Sequence, residues 1–166
     1  MNDDLLIYYL NDVPSVLAHS YKWFEKEHSY IQWLFPLPVP SIYNPNAPIL
    51  DQETIDFFQS NAICQRNMYL ASVVMLDFYG LRYQYGVVGC ALNWMERYPL
   101  WITPKNHNFM RITRMIKSMR ILGFRSEARQ FFAFLERWYQ DKDFNPIIGA
   151  ETLEYWRKAA HGKDSE

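Results

Sequence analysis

The sequence predicts an all-α protein, a compact single-domain helical fold interrupted by one extended, proline-rich connector. Three observations carry that prediction. Apolar residues recur at spacings near three, four and seven over several long stretches, as on a helix with one buried face. Residues that favour helix starts and stops bracket those stretches. Five of the nine prolines crowd into residues 36–50, so the main break in helix falls in one place.

The first helix signal is Asn11 or Asp12 as a cap with Pro14 in the first turn, running toward Glu27 through Val16, Leu17 and Trp23. In "SYIQWLFP", Ser29 and Gln32 have the spacing of a capping box, and Pro36 closes the segment after a turn or two. Residues 36–50, "PLPVPSIYNPNAPIL", read as a polyproline-like connector laid on the surface of one domain. Asp51 then caps a long helix in which Ile55, Phe58, Ala62, Tyr69, Val73 and Leu76 recur at helical spacing, and Gly80 stops it. "YQYGVVG" admits a short strand or a turn before "CALNWMERY" makes another helical piece. Thr103, followed by Pro104, starts a helix that Gly123 ends. Ser126 caps the next one, which carries Ala128, Phe131, Phe132 and Leu135. "NPIIG" is a turn, and Glu151 to Ala160 forms the last helix.

At 166 residues the chain has the length of one domain, 1–166 with its core at about 5–160. Six Trp, twelve Tyr and eleven Phe argue against disorder and for an aromatic core. The start, "MNDDLLIYYLNDVP", is acidic where the n-region of a signal peptide would be basic. No apolar run approaches the roughly 20 residues of a membrane helix, and the most apolar patch, "WLFPLPVP", holds three prolines. Cys64 and Cys90 have neither metal-ligand spacing nor a disulfide framework. The expectation is a soluble, cytoplasmic protein with reduced thiols, no metal, no cofactor and no membrane partner.

A net charge of −1 hides an uneven layout. Residues 1–60 hold eight acids and two bases, and residues 61–125 hold nine bases and two acids. An overall pI near 6.4 disfavours a nucleic-acid partner, which calls for a pI above about 9. The basic charge includes "NHNFMRITRMIKSMRILG", residues 106–123. At 100° per residue, Phe109, Ile112, Met115, Ile116, Met119 and Leu122 form a core face. His107, Arg111, Arg114 and Ser118 form a straight stripe on the other side, while Lys117 and Arg120 turn away from it. Two aligned guanidiniums are comfortable when solvated, when paired with acids from residues 1–60, or when gripping a carboxylate or phosphate.

Other candidates stand near the connector. His28 precedes the Ser29–Gln32 box and serves either helix entry or proton transfer, and Trp33, Phe35 and Tyr43 beside prolines are either core or a peptide-binding surface. No Ser–His–Asp set, Gly-rich phosphate loop or metal-ligand pair stands out, and His19, His28 and His107 are too far apart for a local motif.

Three runs carry a resemblance. "HSYIQWLFPLPVPSIYNPNAP" at 28–48, "LDFYGL" at 76–81 and "NHNFMRITRMIKSMRILGF" at 106–124 resemble the conserved region of the opioid growth factor receptor family, and "ARQFFAFL" and "ETLEYW" echo its later segments. The likeness covers about residues 5 to 160, while "RYQYGVVGC" and residues 140–150 match little. Its matched positions are His28, Gln32, Trp33, His107, Asn108, Arg111, Arg114 and Lys117. For extended animal relatives the resemblance implies binding of an enkephalin peptide, a nuclear or perinuclear location and restraint of proliferation. This chain looks like a stand-alone domain form, so hormone signalling does not carry across. The expectation is a helical binding domain for a peptide or small anionic ligand held near His107, Arg111 and Arg114, with Asn108, His28 and Trp33 also in the site. A small-molecule enzyme using His28 or His107 as acid or base, with the arginines orienting an acidic substrate, is the alternative. A structural or protein-interaction module is the third, and whether the chain is an enzyme stays open.

Overall fold

The computed structural model describes residues 1–162, and helices dominate it. The chain packs as two units, one from Met1 to Val74 and one from Met75 onward.

In the first unit, the helix expected from residue 11 or 12 to Glu27 is divided and starts earlier. Asn2 caps α1 (Asp3–Ile7), its side chain accepting the Leu5 N–H at 3.1 Å. A π turn, Tyr8–Asp12, leads into α2 (Val13–Leu17). Pro14 accounts for the widened turn: it lacks an N–H, and its ring pushes aside the carbonyl four residues back. The Val13 N–H therefore reaches Tyr8 O instead of Tyr9 O. Tyr9 O, left without a helical donor, takes Nδ2 of the buried Asn67 at 2.6 Å. Ser20 Oγ then accepts the Trp23 N–H and starts α3 (Tyr21–Lys26).

The capping box in "SYIQWLFP" does not form. Ser29 already has helical backbone angles, so its side chain makes no cap bond to α4 (Tyr30–Leu34). Gln32 turns inward, its amide oriented so that Nε2 donates to the His28 and Ser29 carbonyls at 2.8 Å each. The proline-rich connector follows, extended but closed at its base. Leu50 N–H donates to Leu37 O at 3.0 Å beside a single parallel bridge, Leu37 to Ile49. Leu37, Ala47 and Leu50 are buried, while Ile42 and Tyr43 stand out in solvent.

Asp51 caps α5 (Gln52–Ser60) as expected, accepting the Thr54 N–H at 2.8 Å and its hydroxyl at 2.6 Å. The helix does not run on to Gly80. Asn61 interrupts it and caps α6 (Ala62–Phe78), its Oδ1 accepting the Ile63 and Cys64 N–H groups. Leu5, Tyr9, Val13, Phe24, Leu34, Phe58 and Met68 fill the core of this unit. Tyr9 ties it together: its hydroxyl donates to the Leu34 carbonyl and its ring meets Phe58 edge-on at 4.5 Å.

In the second unit, Gly80 ends α6 at φ +83°, where an added Cβ would stand 2.9 Å from the Trp94 backbone. The ambiguous segment is a hairpin of β1 (Leu81–Gln84) and β2 (Val87–Cys90), with Leu81 opposite Cys90. Positive φ at both Tyr85 and Gly86 gives the primed turn that suits strand twist. The helical piece is α7 (Trp94–Trp101). The basic helix, α8 (Asn108–Ile121), starts later than Thr103. Residues 103–107 first make a turn, with Lys105 at φ +56°. Asn106 Oδ1 then receives the Asn108 N–H at 2.9 Å, the capping role expected of Thr103. Gly123, at φ +103°, ends α8 as expected, with Phe124 N–H returning to Met119 O.

Helix α9 (Arg125–Tyr139) begins directly after Phe124, which puts Ser126 inside its first turn instead of at the cap. "NPIIG" closes as a single turn, α10 (Asn145–Ile148), and α11 (Ala150–His161) completes the unit. Helices α8, α9 and α11 pack on one another, and β2 lies against α9. Trp94, Phe134, Trp138 and Phe144 make an aromatic cluster with ring spacings of 4.8 to 6.0 Å.

Candidate functional site

Asp4, Tyr8 and Asp12 recur every four residues, which sets them along one side of the α1–α2 segment. Opposite them, α4 is anchored from within by four bonds. Tyr30 Oη donates to Phe24 O at 2.9 Å, Gln32 caps the preceding carbonyls, and Leu34 O receives the Tyr9 hydroxyl. Trp33 is the half-buried residue of that helix. A groove of about 450 Å³ opens here, within the ~300–1,000 Å³ range of small-ligand sites. Asp4, Ile7, Tyr8, Asp12 and Val16 line one side, and Ser29, Tyr30 and Trp33 the other. The Tyr8 and Trp33 rings lie 5.3 Å apart at a 50° tilt.

Tyr8 is the unusual member. Its hydroxyl is buried and has no hydrogen-bond partner, whereas the hydroxyls of Tyr9 and Tyr30 each donate to a carbonyl. Burial, reinforced by the Asp12 carboxylate, pushes its pKa well above the ordinary phenol value, so it remains a neutral phenol. A buried polar atom without a partner is uncommon in a folded chain and marks a place where something else could supply the bond. The groove therefore offers two exposed carboxylates beside aromatic side chains, with the Tyr8 hydroxyl sealed behind its surface. Among the described residues, no group of three His, Cys, Asp or Glu side chains could hold a metal ion.

Of the residues expected in the site, Trp33 is in this groove. His28 is exposed just before α4 and does not line it. His107 is exposed at the start of α8. Asn108 is fully buried, its Oδ1 accepting the Tyr79 hydroxyl at 3.0 Å. Arg111 is only 6% exposed and Ser118 not at all, so the stripe is not a solvated face at these positions. Arg114 is half-buried, and desolvation lowers its pKa to about 10. Arg120, expected to turn away, is buried too: its Nε donates to Ala159 O at 2.7 Å and Nη1 to Gly162 O at 2.6 Å.

Asp4, Tyr8 and Asp12 were missed from sequence. Their four-residue repeat is legible in the sequence, but a helix capped at Asn11 or Asp12 leaves Asp4 and Tyr8 outside it.

The sequence model for the conserved region of opioid growth factor receptor (OGFr) matches residues 3–165. The chain belongs to that family. Human opioid growth factor receptor is 35% identical over 154 residues, which cover 89% of this chain and 22% of the human protein. Rat opioid growth factor receptor-like protein 1 is 33% identical over 150 residues, covering 89% of this chain and 32% of the rat protein. The mouse opioid growth factor receptor is 34% identical over 117 residues. The chain thus spans about a third or less of the length of these curated relatives. No solved structure matches it. Among the described residues, no helix is long and apolar enough to cross a membrane. Within the family region, "HSYIQWLFP" supplies Ser29, Tyr30 and Trp33 to the groove, and "NHNFMRITR" supplies the start of α8.

Proposed function

We propose that this family region is a non-catalytic binding module that takes a peptide segment into the groove walled by Tyr8, Tyr30 and Trp33. The observation that carries the reading is the groove itself, about 450 Å³ and lined by the Tyr8, Tyr30 and Trp33 side chains. The relatives named as receptors support a binding role, and the family match across residues 3–165 supports treating the chain as one conserved region. Selection from a random-peptide display library, run in parallel on the parent chain and on Trp33→Ala, tests it. Peptides should be recovered on the parent whose binding weakens at least ~10-fold on Trp33→Ala, the loss of one well-packed aromatic contact. Peptides that bind both proteins equally would sink the groove as the site.

A second reading keeps the anionic ligand on α8. Desolvation already lowers the Arg114 pKa to about 10, and a carboxylate or phosphate would offset that cost. A thermal-shift panel of both anions should stabilise the parent and not Arg114→Ala. No shift on the parent ends this reading.

A further inference from the structure

Resting on the groove reading, we infer that the peptide bound there presents a basic side chain, best an arginine, to Asp4, Asp12 and the Trp33 ring. Charge is the first argument. The groove is lined by two carboxylates and no basic residue, and the unit it belongs to, Met1–Val74, has eight acids against three bases. An acidic or carboxylate-ended segment would meet like charge on the helical side of the groove, so the electrostatics exclude it as much as they attract a cation.

The second argument is the shape of the lining. Ile7 and Val16 give apolar surface along which the methylene stem of Arg or Lys can lie while its head stays at the carboxylates. Trp33 and Tyr8 put two rings in mutual contact on the lining, their centroids 5.3 Å apart, and a guanidinium is the cation that both stacks on a ring and forks its donors between two acceptors.

The experiment extends the peptide selection to Asp4→Asn/Asp12→Asn. Both positions are exposed, so the variant should unfold at the parent's temperature, and this is measured first. On the parent, arginine should be enriched at one fixed position of the recovered peptides, and that enrichment should vanish on the double variant. A synthetic peptide from the set should lose about 10-fold in affinity when its arginine is replaced by neutral citrulline, about the value of a cation–π contact plus an exposed ion pair. It should lose little more when citrulline meets the double variant. Peptides that need Trp33 but hold no enriched basic residue would overturn the cation and leave the groove reading standing. Peptides indifferent to Trp33 would overturn both. Self-association of the parent, seen by sedimentation and abolished in the double variant, would assign the groove to a second copy and overturn the peptide.

Discussion

The α1–α2 segment and α8 carry opposite charge and handle it in opposite ways. In the acidic segment, Asp4 and Asp12 stay in solvent beside a groove, and the buried polar atom there, Tyr8 Oη, is left open. In the basic helix, Arg111 and Arg120 are drawn inside, and Arg120 is spent on the backbone carbonyls that end α11. Basic charge looked like the mark of a site and acidic charge like its counterweight. Burial reverses that impression: a charge already bound to backbone holds the fold together, while Asp4 and Asp12 stay in solvent beside the groove.

The contrast can be broken most forcefully at Arg120. Arg120→Met removes two charge-assisted bonds, one to the buried Ala159 carbonyl and one to the half-buried Gly162 carbonyl, and should cost about 3 kcal/mol in urea unfolding. A cost below about 1 kcal/mol would mean that this arginine is not structural.

In the acidic segment the corresponding structural contact is Asn67. Asn67→Leu strands Tyr9 O and should cost about 2 kcal/mol. Adding Pro14→Ala returns an N–H to the helix, so the double variant should recover part of that loss. Strict additivity would mean that Pro14 is not the cause of the π turn.

Tyr8→Phe sharpens the contrast from the other side. It deletes a hydroxyl that is sealed without a partner, so stability should be unchanged or higher by up to about 1 kcal/mol. A loss of stability above about 1 kcal/mol would make Tyr8 a structural residue.

The smallest effect lies at Asp51, an acid that caps its own helix and pairs with the Met1 ammonium. Hydrogen bonds from the Thr54 hydroxyl, then from its N–H, then from the Met1 ammonium 3.0 Å away, lower its pKa to about 2 from the usual 3.8. A depressed carboxylate stabilises the fold above its unfolded pKa, and that contribution is lost as pH falls from about 4 through about 2. Asp51→Asn keeps the cap oxygen without the titration, so its acid-unfolding profile should be flatter over that window. An unchanged slope would remove Asp51 from the acid response.

How far the sequence could be read follows the range of the forces involved. Every residue assigned to the core face of α8, from Phe109 to Leu122, is buried, because 3.6-residue periodicity is local. Gly80 and Gly123 stop their helices at positive φ for an equally local reason. Asn61 was missed because an apolar stripe continues on both sides of it, and only the backbone showed that its side chain restarts the helix. The Ser29–Gln32 box failed because the motif describes spacing, while burial of Gln32 turned its amide to the carbonyls.

The candidate site divides along the same line. Trp33 was chosen from a run of aromatic residues beside prolines, and it does line the groove. Tyr8 could not be chosen, since one tyrosine among twelve gives no sign that its hydroxyl will be sealed without a partner while that of Tyr9 finds Leu34.

By itself, then, the sequence determined the helical class, the family, the capping at Asp51, the glycine stops and the inward face of α8, all consequences of bonding and periodicity within a few residues. Tertiary structure alone decided which charges are inside and which polar atom is left open. Those outcomes depend on what each helix packs against, and an atom's hydrogen-bond balance exists only once its neighbours from elsewhere in the chain are in place.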